Sequence, residues 1–233
     1  MDRRSAVLAS VGAALAACAG DAVPGPAPRR AGPGGGAALA FSNPEPLGDG
    51  TKRVYGEATT AASYGGYGGS DKSDDRFKYT YEVPEEWRAE TINKIEKGVT
   101  GIDNRQAAGK ATKAYVITFP GYLKLKDDRD SIISDLAIAD IQLQDILAGQ
   151  ETFESRSRTQ GDQLFYDYDI SSYDTQMLAT ATVDGGRIYI LVVLAPSNEY
   201  RRDEKKFQTI RNSLNTLSKG VNQADVEYFK RAT

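Results

Sequence analysis

The feature that most constrains the fold is a strand-rich stretch in the second half of the chain. Residues 163–171 and 175–183 each alternate between two kinds of side chain, which is typical of β-strands. Asp184-Gly185-Gly186 then predicts a tight hairpin turn, because these residues tolerate a positive φ. Residues 187–195 are apolar on both faces, so they predict a strand in the middle of a sheet that is covered on both sides.

The rest of the chain predicts further strands and two helices that could cover this sheet. Alternation and turn signals predict strands at 76–83, around 97–104, at 113–119 and, as a charged edge strand, at 151–159. Apolar residues at helical spacing predict helices at 131–147 and 199–217. The buried stripe of the first helix is Ile132, Leu136, Ala139, Leu143 and Ile146, and that of the second is Tyr200, Phe207, Ile210, Leu214 and Leu217.

Two near-absences from the composition exclude common kinds of catalysis. The 233 residues contain no His, which is the usual general base at neutral pH and the commonest transition-metal ligand. The single cysteine, Cys18, lies near the N-terminus, so the remainder of the chain has no thiolate nucleophile and no disulfide. The formal net charge of −3 gives no basic footprint for nucleic acid. We therefore expect no catalytic, cofactor-binding or metal-binding residues, and no partner nucleic acid.

Residues 1–40 predict a cleaved targeting leader of the twin-arginine type. Arg3-Arg4 precedes a short run of small residues, and A-x-A cleavage sites end at Ala19 and at Ala40. An alternative is a lipoprotein box that ends at Cys18, which would anchor the protein through a lipid. The sequence after the leader predicts a flexible Gly/Tyr-rich arm at 41–75, a folded domain at 76–218 and a charged tail at 219–233.

Several polar and aromatic residues are candidates for a function, each with a structural alternative. Asp127, Asp128 and Asp130 resemble part of a calcium loop but lack the remaining ligand spacing, so a solvated loop at a helix N-terminus is favoured. Asp167 and Asp169 could act as paired carboxylates or simply face solvent. The other candidates are docking anchors in the arm (Tyr55, Tyr64 and Tyr67), a core Trp87 and a basic cluster on the last helix (Arg201, Arg202, Lys205 and Lys206).

Two motifs, taken together and in order, resemble the PsbP domain family of thylakoid-lumen proteins. The first is the aromatic strand that runs from Phe77 to Val83 and continues into Pro84-Glu85-Glu86-Trp87. The second is the hairpin Ala181-Thr182-Val183-Asp184-Gly185-Gly186-Arg187-Ile188-Tyr189. Lys97-Gly98, the Phe165–Tyr168 stretch and the last helix with Lys205, Lys206, Phe207, Ile210 and Ser213 add to the resemblance, which covers about Phe77 to Leu217.

This resemblance implies an α+β fold, an α–β–α sandwich with a central antiparallel sheet of about six strands and helices on both faces. It implies a chloroplast thylakoid-lumen protein, peripheral to the membrane, whose partners are photosystem subunits, photosystem II being favoured over photosystem I. The implied role is non-enzymatic, in assembly, stability or repair. The alternative is an extrinsic subunit that helps the oxygen-evolving complex retain calcium and chloride. Calcium association is implied for the family only, and no cofactor of the protein's own. The absence of His and the long arm favour a divergent member of the family.

Overall fold

A computed structural model of the chain describes residues 43–57, 76–92, 100–137 and 141–222. The predicted leader and residues 58–75 and 223–233 lie outside this described part. The strands within it are β1 (Glu45–Pro46), β2 (Thr51–Gly56), β3 (Arg76–Pro84), β4 (Arg88–Ala89), β5 (Ile102–Ala107), β6 (Lys113–Pro120), β7 (Gln150–Gln160), β8 (Gln163–Ser172), β9 (Thr175–Asp184), β10 (Arg187–Pro196) and β11 (Asn215–Asn222). The helices are α1 (Arg129–Ala137), α2 (Ile141–Ala148) and α3 (Ser197–Asn212).

The predicted meander lies in a seven-stranded antiparallel sheet in the order β4-β5-β6-β10-β9-β8-β7. β10 is the middle strand, hydrogen-bonded to β6 on one side and to β9 on the other. β7 is an edge strand, as its charged sequence predicted. The prediction of an α+β fold with a central antiparallel sheet is confirmed. The sheet has one strand more than the six implied by the resemblance.

The apolar residues of β10 alternate between two hydrophobic clusters, which explains why this strand is apolar on both faces. Ile188, Ile190, Val192 and Leu194 belong to a first cluster with residues of α1 and α2. From these helices the first cluster takes Ile132, Ile133, Ala137, Leu143 and Ile146. Tyr189, Leu191, Val193 and Ala195 belong to a second cluster that includes Phe207 and Ile210 of α3.

A second sheet, which the sequence did not predict, contributes to the second cluster. It has four strands in the order β1-β2-β3-β11. Val54 of β2 and Tyr79, Tyr81 and Val83 of β3 are nearly inaccessible to solvent and lie in the same cluster as α3. This part of the core is therefore shared between a helix and a second sheet. The outer layer on this side is not made of helices alone, so the predicted α–β–α sandwich does not describe this part of the fold.

The predicted boundaries of the arm and of the tail are wrong where the structure describes these regions. The sequence predicts a flexible arm for residues 43–57, yet they hold β1 and β2, and β2 pairs with β3 along its whole length. It predicts the end of a helix and the tail for residues 215–222, yet they form β11, which pairs with the other edge of β3. The folded domain therefore extends beyond residues 76–218 at both ends.

The last helix is shorter than predicted. Its apolar spacing continues past its end into the next strand, so the spacing predicts a helix that is too long. α3 ends at Asn212, and Ser213 caps it by donating from its hydroxyl to the carbonyl oxygen of Ile210, 2.7 Å away. Leu214 is buried in the second cluster, as the predicted stripe requires, but it lies beyond the helix. Burial at this position was therefore predicted correctly, whereas the backbone conformation was not.

The predicted first helix corresponds to α1 and α2, with residues 138–140 outside the described part. Asp128 accepts a hydrogen bond from the backbone N–H of Asp130, and Ser131 Oγ donates to the carbonyl oxygen of Asp128, so polar groups satisfy the start of α1. Within the described ranges, no helix has the length and apolarity needed to cross a membrane.

Candidate functional site

Asp167 and Asp169, the paired carboxylates of the sequence, lie on the same face of β8 and are held by three arginines. Asp167 is 2% exposed and accepts hydrogen bonds from Arg158 Nε at 3.0 Å and from Thr180 Oγ1 at 2.7 Å. Arg156 Nη1 lies 3.2 Å from Asp169 Oδ2. The interpretation of these aspartates as solvent-facing side chains is wrong for Asp167, because sequence alternation does not reveal what covers a face.

The third arginine comes from a helix and was not predicted. Arg211, on α3, is 2% exposed and donates from Nη1 to Asp169 Oδ1 across 2.8 Å. An unpaired buried guanidinium is costly, so this ion pair fixes α3 against the sheet. The arginine partners engage both carboxylates, which is typical of a structural network.

A second cluster of polar side chains lies where the two sheets meet. Tyr79 donates to Asp103 Oδ2 at 2.7 Å, and Tyr81 donates to the backbone oxygen of Asn104. Burial, and then the negative charge of Asp103, raise the pKa of both tyrosines well above its ordinary value. Asn104, which has a positive φ of 46°, donates from Nδ2 to the backbone oxygen of Tyr55. These contacts join β2, β3 and β5.

Two aromatic residues that the sequence singled out lie in the interior. Trp87 is 1% exposed, which confirms its predicted place in the core. Tyr55, predicted as a docking anchor in a flexible arm, is instead buried against Phe77 and donates to Glu45 Oε2 at 2.6 Å. That prediction is therefore wrong, and Tyr64 and Tyr67 lie outside the described residues.

Beside Trp87 lies a buried lysine that the sequence did not indicate. Lys52 is 9% exposed and donates from Nζ to the backbone oxygens of Glu85 and Trp87. Desolvation lowers the pKa of its amine, although nearby Glu86 and Glu85 oppose the effect. This contact ties β2 to the turn after β3.

A cleft of about 620 Å³ lies at one end of the seven-stranded sheet. It lies between the loop that follows β6 and the turn that joins β7 to β8. The end of β9 and Thr216 of β11 complete it. Its lining residues are Leu123, Lys124, Leu125, Asp127, Gln160, Asp162, Gln163, Leu164, Tyr166, Val183, Asp184 and Thr216.

Hydrogen bonds on both sides hold the walls of this cleft. The backbone N–H groups of Gly121 and Tyr122 both donate to the carbonyl oxygen of Gly186, at 2.9 and 3.2 Å. Opposite them, Gln163 Nε2 donates to Thr216 Oγ1 at 2.9 Å. The loop is therefore fixed to the β9–β10 turn, and the start of β8 is fixed to β11.

A smaller hollow of about 340 Å³ adjoins the cleft and shares Asp127, Leu164 and Tyr166 with it. Asp128 and Asp130, the other two acids of the supposed calcium loop, line this hollow. In the described ranges, no three His, Cys, Asp or Glu side chains are grouped so that they could hold a metal ion. These aspartates thus form an acidic surface around the start of α1.

The basic cluster on α3 is partly neutralised by neighbouring acids. Arg202 lies 3.0 Å from Asp203, and Lys206 lies 3.2 Å from Glu86 on the turn after β3. Arg201 and Lys205 are exposed on the same helix. These contacts agree with a solvated helix face, the favoured interpretation of the sequence.

Comparison with known proteins finds a relative that spans most of the domain. The chain is 36% identical over 170 residues to the thylakoid lumenal 19 kDa protein of Arabidopsis thaliana, chloroplastic, and the match covers 72% of this chain and 74% of the relative. No protein-family model matches the sequence.

Among solved structures, the chain is similar to cyanobacterial PsbP (CyanoP) from Synechocystis sp. PCC 6803. This similarity has a TM-score of 0.45 and 14% identity, over 79% of this chain and 99% of the other. LpqN of Mycobacterium tuberculosis, described as involved in cell envelope biogenesis, is similar at a TM-score of 0.34 and 12% identity, over 59% of this chain and 82% of the other.

The relative identifies this chain as a chloroplast protein of the thylakoid lumen. Within that class, it belongs to the PsbP-like family, as the two motifs around Trp87 and Gly185 predicted. The lumenal localisation is confirmed as well.

Proposed function

We propose that this protein is a non-enzymatic accessory protein of the thylakoid lumen that binds a photosystem and aids its assembly, stability or repair. Photosystem II is the favoured partner and photosystem I the alternative. The observation that carries the proposal is an open cleft with exposed leucines and carboxylates, on a domain related to a lumenal protein of chloroplasts.

The chemistry of the described residues supports binding over catalysis. Without His, and with its single Cys at position 18, the chain cannot build the common nucleophilic sites. The pair Asp167 and Asp169, its best candidate for acid–base work, is engaged by Arg156, Arg158 and Arg211. A carboxylate that accepts several charge-assisted hydrogen bonds is poorly placed to abstract a proton.

The surface offers a place where a partner could dock. Leu123 and Leu164 expose 94% and 41% of their surface beside the cleft. Hydrogen bonds hold both walls of the cleft in place. A partner would therefore meet a surface that is already formed, which lowers the entropic cost of association.

Affinity purification from intact thylakoids tests this function. A tagged copy of the protein should recover subunits of one photosystem, in amounts well below one copy per complex if it acts during assembly or repair. Cells that lack the protein should then assemble or repair that photosystem more slowly. Recovery of neither photosystem, from membranes in which the tagged protein is intact, would refute the proposal.

The stoichiometry of recovery separates this proposal from the extrinsic-subunit alternative. A subunit that retains calcium and chloride should be recovered in roughly equal amounts with photosystem II. High salt should release it, because salt screens exposed charge contacts. Oxygen evolution by the salt-washed complex should then depend on added calcium and chloride.

The mature N-terminus distinguishes a soluble lumenal protein from one anchored by a lipid. Intact mass measurement of the protein isolated from thylakoids should show an N-terminus created by cleavage after Ala19 or Ala40. A diacylated Cys18 would instead support the lipoprotein alternative.

A further inference from the structure

We propose that the cleft between the loop after β6 and the β7–β8 turn binds a basic segment of a lumen-facing photosystem protein. That segment carries lysine or arginine together with an aliphatic side chain. The inference rests on the proposed function for the identity of the partner, and on the cleft for its chemistry.

The apolar part of the recognition comes from two leucines on fixed elements. Leu123 is 94% exposed, although Leu125, two residues later in the same loop, is 6% exposed within the first hydrophobic cluster. Leu125 thus anchors the loop, and the N–H groups of Gly121 and Tyr122 fix its start to Gly186. Leu123 is held out at the cleft by a restrained backbone, so covering it would cost little conformational entropy.

Leu164 gives the cleft a second apolar contact on the opposite wall. It is 41% exposed at the start of β8, and it lines both the cleft and the adjoining hollow. Single exposed leucines are common on protein surfaces. Two that face one cleft from different elements give an aliphatic side chain a place to pack, because burial of apolar surface favours association.

The charges around the cleft indicate which charge the bound segment should carry. Five carboxylates line the cleft and its adjoining hollow, against two cations, Lys124 and Arg129. The carboxylates are Asp127, Asp128, Asp130, Asp162 and Asp184. Lys124 lies 3.7 Å from Asp127, so these two charges offset each other, and the remaining lining has four carboxylates against one cation. An acidic partner would be repelled, whereas a basic segment would gain attraction and a faster encounter.

The acids of the cleft and its adjoining hollow do not share a single role. Asp128 Oδ1 accepts a hydrogen bond from the backbone N–H of Asp130 at the start of α1, and Asp130 Oδ1 accepts one from Ser155 Oγ. Both carboxylates therefore stabilise the domain itself. Asp162 and Asp184 stand beside two hairpin turns, those of Gly161 and Gly185-Gly186. These two aspartates can be changed with the least effect on the fold, which makes them the best sites for a test.

The experiment measures binding to purified photosystem particles. Tagged wild-type protein and variants are expressed in cells of the source organism that lack the endogenous copy, purified from the lumen, and mixed with photosystem I or photosystem II particles. The variants are Asp162→Asn/Asp184→Asn, Leu123→Ser/Leu164→Ser, and Leu123→Ser alone. Bound protein is measured by sedimentation over a range of salt concentrations.

Matched controls remove an aliphatic side chain or two carboxylate charges outside the cleft. Ile141→Ser removes an apolar side chain that is 75% exposed on α2. Asp145→Asn/Glu151→Gln removes two charges from exposed residues that do not line the cleft. Circular dichroism and Tm measurements establish that each variant is folded. If the double leucine variant is unfolded, Leu123→Ser alone tests the apolar contact, because its side chain is almost fully exposed.

We expect each of the two double cleft variants to weaken binding to one photosystem by about tenfold or more, and the controls to change it by less than about twofold. Acetylation of lysines and modification of arginines on the particles should also abolish binding. Cleft variants that bind as well as wild type would overturn this inference and leave the proposed function intact. So would binding that survives modification of the particles. Failure of the wild-type protein to bind either photosystem would overturn both.

Discussion

Arg211 of α3 and Asp169 of β8 form a hydrogen-bonded ion pair of 2.8 Å, in which the arginine is 2% exposed and the aspartate side chain 20%. The two residues are 42 positions apart in the chain. Their contact fixes the helix over the outer half of the seven-stranded sheet, next to the pairs that Arg156 and Arg158 make with the same strand.

Removal of one partner from this pair should destabilise the protein more than removal of both. Asp169→Asn leaves the buried charge of Arg211 without its counter-ion and should cost about 3 kcal/mol. Arg211→Met should cost less, because Arg156 remains beside Asp169. The double variant should recover part of the loss, as chemical denaturation in a double-mutant cycle will show. Asp203→Asn, which affects an exposed pair with Arg202, should change stability by under about 0.5 kcal/mol. Additive single effects would refute the coupling.

Gly56→Ala should disrupt the second sheet. A Cβ atom at this position would overlap the ring of Tyr79, which is completely buried. Either β2 or the ring must move, and we expect a loss of about 2–4 kcal/mol in the free energy of unfolding. Gly109→Ala is the matched control, because nothing lies within 4 Å of its added Cβ. Equal stability of both variants would mean that β2 does not pack on Tyr79.

Ser213→Ala should loosen the junction between α3 and β3. The hydroxyl of Ser213 accepts from the N–H of Glu82 at 2.8 Å and donates to the carbonyl oxygen of Ile210 at 2.7 Å. Loss of both bonds should cost about 1–2 kcal/mol in urea denaturation. Thr209→Ala removes an exposed hydroxyl that bonds only within α3 and should cost less than about 0.5 kcal/mol. A Ser213→Ala variant as stable as the control would contradict the linking role.

Alkaline pH should destabilise the protein through its buried tyrosines. Burial is the main cause that raises the pKa of Tyr55 and Tyr189 to about 12, and that of Tyr79 and Tyr81 well above 10.0. Because the folded-state pKa is the higher one, the native state keeps these protons longer. The resulting stabilisation is complete below about pH 10 and is lost as the pH rises toward 12.

Tyrosinate absorbance, followed together with far-UV circular dichroism, checks this expectation. Tyr79 and Tyr81 should ionise only as the secondary structure is lost. The same titration in denaturant should give ordinary tyrosine ionisation for the whole chain. Complete ionisation near pH 10 with the fold intact would contradict the burial of these phenols.

Much of the seven-stranded sheet could be predicted because its neighbouring strands follow one another in sequence. The 163–196 meander is joined by short turns; alternation marks β8 and β9, and a continuous apolar run marks β10. β2 and β11 gave no such signal. β2 is six residues long and mixes Lys52 and Arg53 with Val54 and Tyr55, and β11 contains Gly220 and a register shift against β3. Their partner is distant along the chain, so local pattern does not reveal the pairing.

The candidate site was predicted less well, because it depends on loops and on contacts between distant residues. The composition directed attention away from the common catalytic sites, and Asp127, which the sequence singled out, lines the cleft. Leu123 and Leu164 were not recognised, because nothing in the sequence distinguishes an exposed leucine from a core one. Arg211 occurs in a helix rich in charged residues, and its burial follows only from the position of Asp169.

The pairing of β3 with β2 on one edge and β11 on the other has a consequence for the order in which the protein can mature. β2 precedes β3 in the chain, but β11 comes after every other strand and helix described. A polypeptide that emerges N-terminus first cannot close this sheet until residues 215–222 have been released. Premature arrest of synthesis before Asn215 would leave β3 with a bare edge, which marks such fragments for proteolysis or aggregation.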